Sequence, residues 1–280
     1  MTRIVHAHAS GEEFVLLLDP GATVEFGPEL VQVLAFMRGP GSFSAGGPIS
    51  GAIRVTRTQA ILETEPVLGQ AYPELASTEW FMDYRRVDGT IVPMCGGGLR
   101  LLAELLATEG LIPRTEVQLG TRAGCFPVSW AGDELVVAMG RARWQAQGTT
   151  VTFPGSDPQP ALHVWLGTAN AVLRVDLSEP LPGVPLAMPQ AQGGTSVVLA
   201  DVTGPGELSM RVFEPGLGER RTCGTSACAA AVAAQQWGEV ATTWQVSSGG
   251  QTQRVEFDGS QIRLIGPASL GAVTKINLPS

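Results

Sequence analysis

The sequence contains two similar segments, Cys95-Gly96-Gly97-Gly98-Leu99-Arg100 and Cys223-Gly224-Thr225-Ser226-Ala227-Cys228. Each follows a loop that contains glycine or proline, and each leads into a run of small or apolar residues that is typical of a helix. The first helix is predicted over residues 99–109, where leucines recur at helical spacing, and the second over residues 227–236, where alanine dominates. Both segments therefore predict a cysteine at the start of a buried helix.

The two segments lie about 130 residues apart, which is close to the length of one domain. This spacing indicates an internal duplication of one strand-rich unit built around one helix. Frequent glycine and proline predict many short strands joined by tight turns. The expected fold class is α+β, with a strongly twisted, mostly antiparallel sheet rolled around a central helix in each half.

Alternation of apolar and polar residues places the individual strands. The first half is predicted to hold strands at 13–19, 51–57 and 80–86, a hairpin turn at Asp88-Gly89, and a helix at 28–37 that begins with proline. Residues 59–62 are predicted either to extend the second of these strands or to begin another. The second half is predicted to hold strands at 116–119, 127–130, 134–139, 161–166, 171–175, 196–200, 207–214, 244–247, 253–257 and 261–265.

Composition excludes several classes of protein. Of the 280 residues, 44% are hydrophobic and 16% are charged, which is typical of a chain that buries large cores. The net charge of −8, without a basic cluster, disfavours nucleic acid and anionic membranes as partners. The chain lacks a long apolar run and a signal-peptide pattern, so a cytoplasmic location is expected. Three histidines and four scattered cysteines offer no metal-binding spacing, so no metal site is expected.

Cysteines at helix starts carry specific chemistry. A helix N-terminus presents backbone N–H groups without partners and the positive end of the helix dipole, a setting that favours a reactive thiolate. Cys95 and Cys223 are therefore candidate acid/base residues. As a pair at one site, one thiolate would remove a proton from a carbon and the other thiol would deliver a proton to its opposite face. The backbone N–H groups that could bind a carboxylate belong to Gly96, Gly97, Gly224 and Thr225.

Much of the chain resembles the diaminopimelate epimerase family of cofactor-independent amino-acid racemases. The two cysteine segments carry most of this resemblance, together with Glu214-Pro215-Gly216-Leu217-Gly218-Glu219 ahead of the second. Weaker matches lie at residues 8–14, 88–90, 139–140, 166–168 and 266–268. The resemblance therefore covers nearly the full length.

The resemblance implies two pseudo-symmetric domains with the active site in the cleft between them. The N-terminal domain would comprise residues 1–117 and 266–280, and the C-terminal domain residues 118–265. Cys95 and Cys223 would be the acid/base pair, acting without a cofactor on a small amino acid, and Glu214 would bind the substrate's α-ammonium group. Lysine biosynthesis would be the pathway. For the oligomeric state, a homodimer remains an open alternative.

Several positions depart from the family pattern. Glu12, Arg86, Gly97 and Thr195 each stand where the family has asparagine, and Glu13 stands where it has aspartate. Thr168 and Asn170 stand in place of an asparagine and a histidine, and Pro215 in place of an arginine. In the family these residues mostly hold the distal end of the substrate. The candidate substrate-binding residues here are therefore Glu12, Arg86, Thr168 and Thr195. The expected substrate is most simply diaminopimelate; because these positions differ while both cysteines are kept, our hypothesis is a related amino acid in its place.

Two other functions remain open at this point. One is a catalytically inactive homologue that binds an amino acid, which the loss of polar residues favours. The other is an isomerase of the phenazine-biosynthesis type, which uses a carboxylate instead of a cysteine pair; the presence of Cys95 and Cys223 argues against it. Cys125 and Cys228 are expected to be packing residues. Arg86 could also be a solvated hairpin residue beside Asp88 with no role in substrate binding.

Overall fold

The computed structural model describes residues 2–37, 49–178, 189–191 and 195–276. It is a sheet-rich α+β structure, as the sequence predicts. The chain divides into two compact units: unit 1 comprises Met1–Val137 and Gly266–Ser280, and unit 2 comprises Ala138–Ile265. Residues 118–137 thus group with unit 1, whereas the division made from sequence assigned them to the second domain.

Unit 1 is a curled sheet with one buried helix. Its strands are β1 (Thr2–Ala9), β2 (Glu12–Leu18), β3 (Gly51–Arg57), β4 (Trp80–Arg86), β5 (Ile91–Val92), β6 (Val117–Thr121), β7 (Gly124–Ala131), β8 (Glu134–Gly140, which runs on into unit 2) and β21 (Ser269–Ile276). Its helices are α1 (Pro28–Phe36), α2 (Thr58–Thr64), α3 (Pro66–Ala71) and α4 (Gly96–Thr108), with a 3₁₀ turn at Pro73–Ser77. Pairing runs β21–β1–β2–β3–β4–β6–β7–β8, with β5 also on β4.

Helix α4 lies inside this curled sheet. It contacts strands near both ends of the pairing order, from β21 and β1 to β6 and β7, so the sheet bends around the helix. Leu99, Leu102 and Leu106 are fully buried, as the leucine spacing predicts. The helix begins at Gly96, three residues earlier than predicted, and Cys95 is its N-cap.

The prediction of a strand at residues 59–62 is wrong. These residues belong to α2, which follows β3 directly. Gln59, Ala60 and Leu62 favour helix by intrinsic propensity, and Gln59 Nε2 donates to Glu63 Oε1 one turn later at 3.1 Å. Ile61 is fully buried against Phe81 and its neighbours, so one apolar face suffices to hold the helix on the sheet.

Unit 2 repeats this arrangement around α5 (Gly224–Gln236). Its strands are β9 (Arg143–Gln145), β10 (Thr150–Thr152), β11 (Gln159–Pro160), β12 (Leu162–Trp165), β13 (Ala169–Arg174), β14 (Gln190–Ala191), β15 (Ser196–Gly204), β16 (Glu207–Glu214), β17 (Gly218–Arg220), β18 (Thr243–Ser248), β19 (Gln251–Asp258) and β20 (Gln261–Gly266). Pairing runs β9–β12–β13–β15–β16–β18–β19–β20, with β17 also on β16. A separate small sheet joins β10 to β11 and β14.

The strand pairs follow the same succession in the two units. In unit 1 the third and fifth pairs along the sheet, β2–β3 and β4–β6, are parallel and the others are antiparallel. In unit 2 the corresponding pairs, β13–β15 and β16–β18, are parallel. Each central helix enters directly after the short extra strand, β5 or β17. None of the helices in the described part of the chain is long and apolar enough to cross a membrane.

Candidate active site

Cys95 caps the N-terminus of α4. Its backbone is extended, with φ −147° and ψ 118°, and its Sγ accepts a hydrogen bond from the Gly98 backbone N–H at 3.3 Å. The side chain is half-buried. The thiol therefore lies at the end of the helix where backbone N–H groups point out of the helix.

The carboxylate of Glu12 lies beside this thiol. A β-carbon built on Gly97 would be 3.2 Å from Glu12 Oε2 and 3.9 Å from Cys95 Sγ, so both atoms border the same small space. Glu12 is only 8% exposed and follows the tight Ser10-Gly11 turn, where both residues have positive φ. The structure thus brings Glu12, Gly97 and Cys95 together, and the missing side chain at position 97 leaves room for the carboxylate.

Arg86 lies on the same face and at the same end of the sheet as Glu12. The register aligns Phe14, Gly51 and Arg86 across β2, β3 and β4. The Phe14 and Tyr84 rings meet edge to face at 5.5 Å, so alternation puts Glu12 and Arg86 on this shared face. Arg86 is half-buried, not a fully solvated hairpin residue.

His8 and Glu13 lie on the other face of the β1–β2 hairpin, directly opposite each other in register. Partial burial lowers the pKa of His8 below its ordinary value, against the opposing charge of Glu13. At the β4–β5 turn, burial would raise the pKa of Asp88, but hydrogen bonds from Thr90 and then the charge of Arg86 hold it below its ordinary value.

Arg100 anchors the first half of α4, and no role for this residue is predicted from the sequence. The side chain is fully buried, and its Nη1 donates to Ser10 Oγ at 3.2 Å and to the Pro267 carbonyl at 3.1 Å. The guanidinium lies directly against Gly266, where a β-carbon would collide with it. The available signal was a charged residue inside a leucine run that is buried on most sides.

Cys223 caps α5 in the same backbone conformation, with φ −158° and ψ 124°. Its Sγ lies 3.2 Å from Thr225 Oγ1, and the side chain is half-buried. Gly224 and Thr225, the predicted carboxylate-binding residues of this segment, are buried in the first turn. Unit 2 therefore places a thiol, a hydroxyl and the N–H groups of a helix N-terminus together.

Glu214 faces the same helix end. The register pairs Asn170 with Ser196 and Val197 with Phe213, which aligns Asn170, Ser196 and Glu214 in one row across three strands. Residues of one row point to the same face of a sheet. Because Asn170 bonds to Ser226 in the first turn of α5, that face is the one that packs on the helix. The Glu214 side chain, 9% exposed, is therefore directed to the α5-facing side of the sheet.

Thr168 and Thr195 occupy different parts of this region. Thr168 uses its backbone: its carbonyl accepts from the Asn170 amide at 3.3 Å and from the Leu166 N–H at 3.1 Å, which holds the β12–β13 turn. Thr195 borders a cavity of about 260 Å³ together with Glu214 and Pro215. Pro215 is exposed and brings no charge to it.

The loop that precedes Cys223 is held by two polar contacts that no sequence pattern indicates. Gln253 Nε2 donates to Thr222 Oγ1 at 2.7 Å, and Ser248 Oγ donates to the Arg221 carbonyl at 2.7 Å. Both partners come from the β18–β19 hairpin. Their sequence separations of 31 and 27 residues explain why local patterns did not reveal them.

The other two cysteines behave as packing residues. Cys228 is fully buried within α5. Burial, followed by the charge of Glu74, raises the pKa of Cys125 to about 11. Among the residues that the structure describes, no group of three or more His, Cys, Asp or Glu side chains is arranged to hold a metal ion.

Two relatives with similar sequences are named diaminopimelate epimerase. The chain is 34% identical to the diaminopimelate epimerase of Thermobifida fusca, across 99% of this chain and 98% of that protein. It is 33% identical to the diaminopimelate epimerase of Streptomyces coelicolor, across 97% of this chain and 94% of that protein. No family model matches the chain.

Solved structures with low sequence identity share the fold. A probable proline racemase from Agrobacterium radiobacter gives a TM-score of 0.69 at 13% identity, covering 100% of this chain and 94% of that one. A phenazine biosynthesis protein of the PhzF family from Bacillus anthracis gives 0.65 at 15% identity, covering 99% of each chain. These similarities establish the fold alone.

Proposed function

The chain belongs to the diaminopimelate epimerase family, and on this premise we propose that Cys95 and Cys223 invert the α-carbon of an amino acid without a cofactor. Its relatives show that the chain is an isomerase of the epimerase or racemase type. The identity of the acid and the base is the proposal. The proposal rests on the repeated geometry of the helix caps. In each unit a half-buried cysteine with an extended backbone begins the central helix.

The proposed reaction transfers two protons. One cysteine, as thiolate, takes the α-proton into a new S–H bond, and the electron pair of the broken C–H bond moves toward the α-carboxylate. The other cysteine, as thiol, then delivers its proton to the opposite face of the carbon and becomes a thiolate. The product is the inverted amino acid, and the two sulfurs have exchanged protonation states.

Stabilisation of the carbanion falls to fixed dipoles. An α-proton is weakly acidic, so charge that develops on the carboxylate oxygens must be met by preorganised donors. The first turns of α4 and α5 supply such N–H groups at Gly96, Gly97, Gly224 and Thr225. Glu214 would bind the α-ammonium group, which fits its buried carboxylate on the α5-facing side of the sheet.

Diaminopimelate or a related amino acid is the proposed substrate. The curated relatives are named diaminopimelate epimerase. In unit 1, the carboxylate of Glu12 and the guanidinium of Arg86 lie on one face of the sheet, at the end near Cys95. Such a pair is complementary to the ammonium and carboxylate of a second amino-acid end. Thr168 and Thr195 would border the substrate from unit 2.

The test is hydrogen exchange at the α-carbon in deuterated water, measured by mass spectrometry over a panel of amino acids that includes diaminopimelate. We expect exchange by the parent and a loss of at least about 1,000-fold in the Cys95→Ala and Cys223→Ala variants, since each removes a general acid or base. Cys125→Ala, which removes a thiol away from both motifs, is the matched control and should keep parent activity.

Each alternative has its own outcome in this experiment. Binding of an amino acid without any α-hydrogen exchange would identify an inactive binding homologue. Exchange that survives both cysteine substitutions but is lost in Glu214→Gln would indicate carboxylate-based isomerase chemistry. Either result would overturn the two-cysteine mechanism.

A further inference from the structure

We infer that Asn170, through its hydrogen bond to Ser226, is a positioning residue for Cys223; the inference rests on the function proposed above. Asn170 lies in β13 and is 1% exposed. Its Oδ1 accepts from Ser226 Oγ at 2.8 Å, and its Nδ2 donates to the Thr168 carbonyl at 3.3 Å. The buried amide therefore uses both ends, one toward the helix and one toward its own β-turn.

Ser226 connects this amide to the thiol. It is fully buried and lies three residues after Cys223, in the first turn of α5. The Cys223 carbonyl accepts the first helical hydrogen bond, from Ala227 N–H at 2.9 Å. A displacement of Ser226 would therefore carry along both the cap residue and the N–H groups that face the proposed carboxylate.

The apolar surface of helix α5 does little to fix the position of the helix along the sheet. Its buried surface consists mostly of single methyl groups from Ala227, Ala229–Ala231, Ala233 and Ala234. Methyl groups permit close approach of the strands but interlock weakly along the helix axis. A satisfied buried polar contact specifies one position among several that close packing would allow.

The hydrogen bond between Ser226 and Asn170 also fixes the position of Cys223 relative to Glu214. Asn170 shares its row with Ser196 and Glu214, so a helix tied to Asn170 is tied to the strand end that carries the carboxylate. Misplacement of a reacting group by about 1 Å can cost about 100-fold in rate. A polar contact that touches no substrate can therefore control the proton transfer.

The test compares Ser226→Ala and Asn170→Ala with Thr58→Val, which removes a hydroxyl from the buried Thr58–Thr78 pair of unit 1 at a similar distance of 2.8 Å. Iodoacetamide labelling of Cys223 and Cys95 is followed by peptide mass spectrometry, alongside α-hydrogen exchange kinetics. We expect Cys223 labelling to slow by at least about threefold, because its thiolate loses support from the first turn, while Cys95 labelling stays at the parent rate. The kcat for exchange should fall about 10- to 100-fold with KM changed less than about threefold.

Asn170→His provides the rescue, since an imidazole also combines one acceptor and one N–H donor; it should recover more kcat than Asn170→Ala. If Asn170→Ala does not fold, Ser226→Ala carries the test, as it removes one oxygen only. The inference is overturned if folded Ser226→Ala matches the parent in both labelling and exchange. It is also overturned if Thr58→Val slows the labelling of Cys223 as much as Ser226→Ala does. Absence of exchange in the parent would refute the proposed function instead, and Cys223 labelling would still decide the role of Asn170.

Discussion

Helix α4 is packed by leucines and by the buried guanidinium of Arg100, whereas α5 is packed by alanines and tied through Ser226 to Asn170. Both begin with an extended, half-buried cysteine. Counted from that cysteine, Gly98 corresponds to Ser226 and Arg100 to Cys228. The comparison shows that the cap cysteine is a local feature of the chain, while each unit holds its helix by a different set of distant contacts.

The largest expected effect tests the anchor of α4. Arg100→Met removes a buried charge that serves Ser10 and the Pro267 carbonyl, so we expect the free energy of unfolding to fall by about 3 kcal/mol. Arg114→Met removes an exposed arginine that pairs with Glu104 and should cost less than about 1 kcal/mol. Urea unfolding followed by circular dichroism measures both. Equal losses would show that Arg100 is not a special anchor.

Cysteine reactivity separates the two helix starts from the rest of the fold. Because burial raises the pKa of Cys125 to about 11, only about one molecule in a thousand carries its thiolate at pH 8. We expect Cys95 and Cys223 to react with iodoacetamide at least about 100-fold faster than Cys125 at that pH, as counted by peptide mass spectrometry. Glu74→Gln removes the second cause of the raised pKa. It should accelerate the reaction of Cys125 with iodoacetamide and leave the other cysteines unchanged.

A smaller effect tests how tightly α4 enters its sheet. A β-carbon on Gly98 would lie 2.8 Å from Met82 Sδ and 2.9 Å from Ile53 Cδ1, both in fully buried side chains. Gly98→Ala should therefore destabilise by about 1 to 2 kcal/mol despite its better helix propensity. Gly69→Ala in α3 meets only Leu62, at 3.5 Å, and should be neutral or slightly stabilising. A stabilised Gly98→Ala would mean that α4 is not closely packed there.

The smallest effect is a pH dependence on the outer face of the β1–β2 hairpin. Folding lowers the pKa of His8 below its ordinary 6.5, chiefly through burial, so the unfolded chain binds this proton more tightly. The contribution of neutral His8 is fully present above about pH 6.5 and is lost as the pH falls through the lowered value. We expect His8→Gln to reduce the drop in urea midpoint between pH 7.5 and pH 5. An unchanged drop would exclude His8 as a contributor.

Local sequence patterns predicted most of the framework. The strand at residues 207–214, the hairpin after β4 and both central helices were predicted, because alternation, turn residues and helical spacing are encoded within a few neighbouring positions. The error at residues 59–62 has the same origin. Four residues with mixed propensity do not distinguish a strand from a helix until burial of Ile61 against Phe81 decides.

The sequence by itself determined the two cysteines at helix starts, the acidic and apolar character of the chain, and the resemblance that led to an epimerase. The tertiary structure alone decided what surrounds those cysteines. Glu12 lies beside Gly97, Arg100 binds Ser10 and Pro267, and Ser226 binds Asn170, across separations of 56 to 167 residues in the last two cases. Such contacts depend on strand pairing and register, which bring together residues that no local pattern connects.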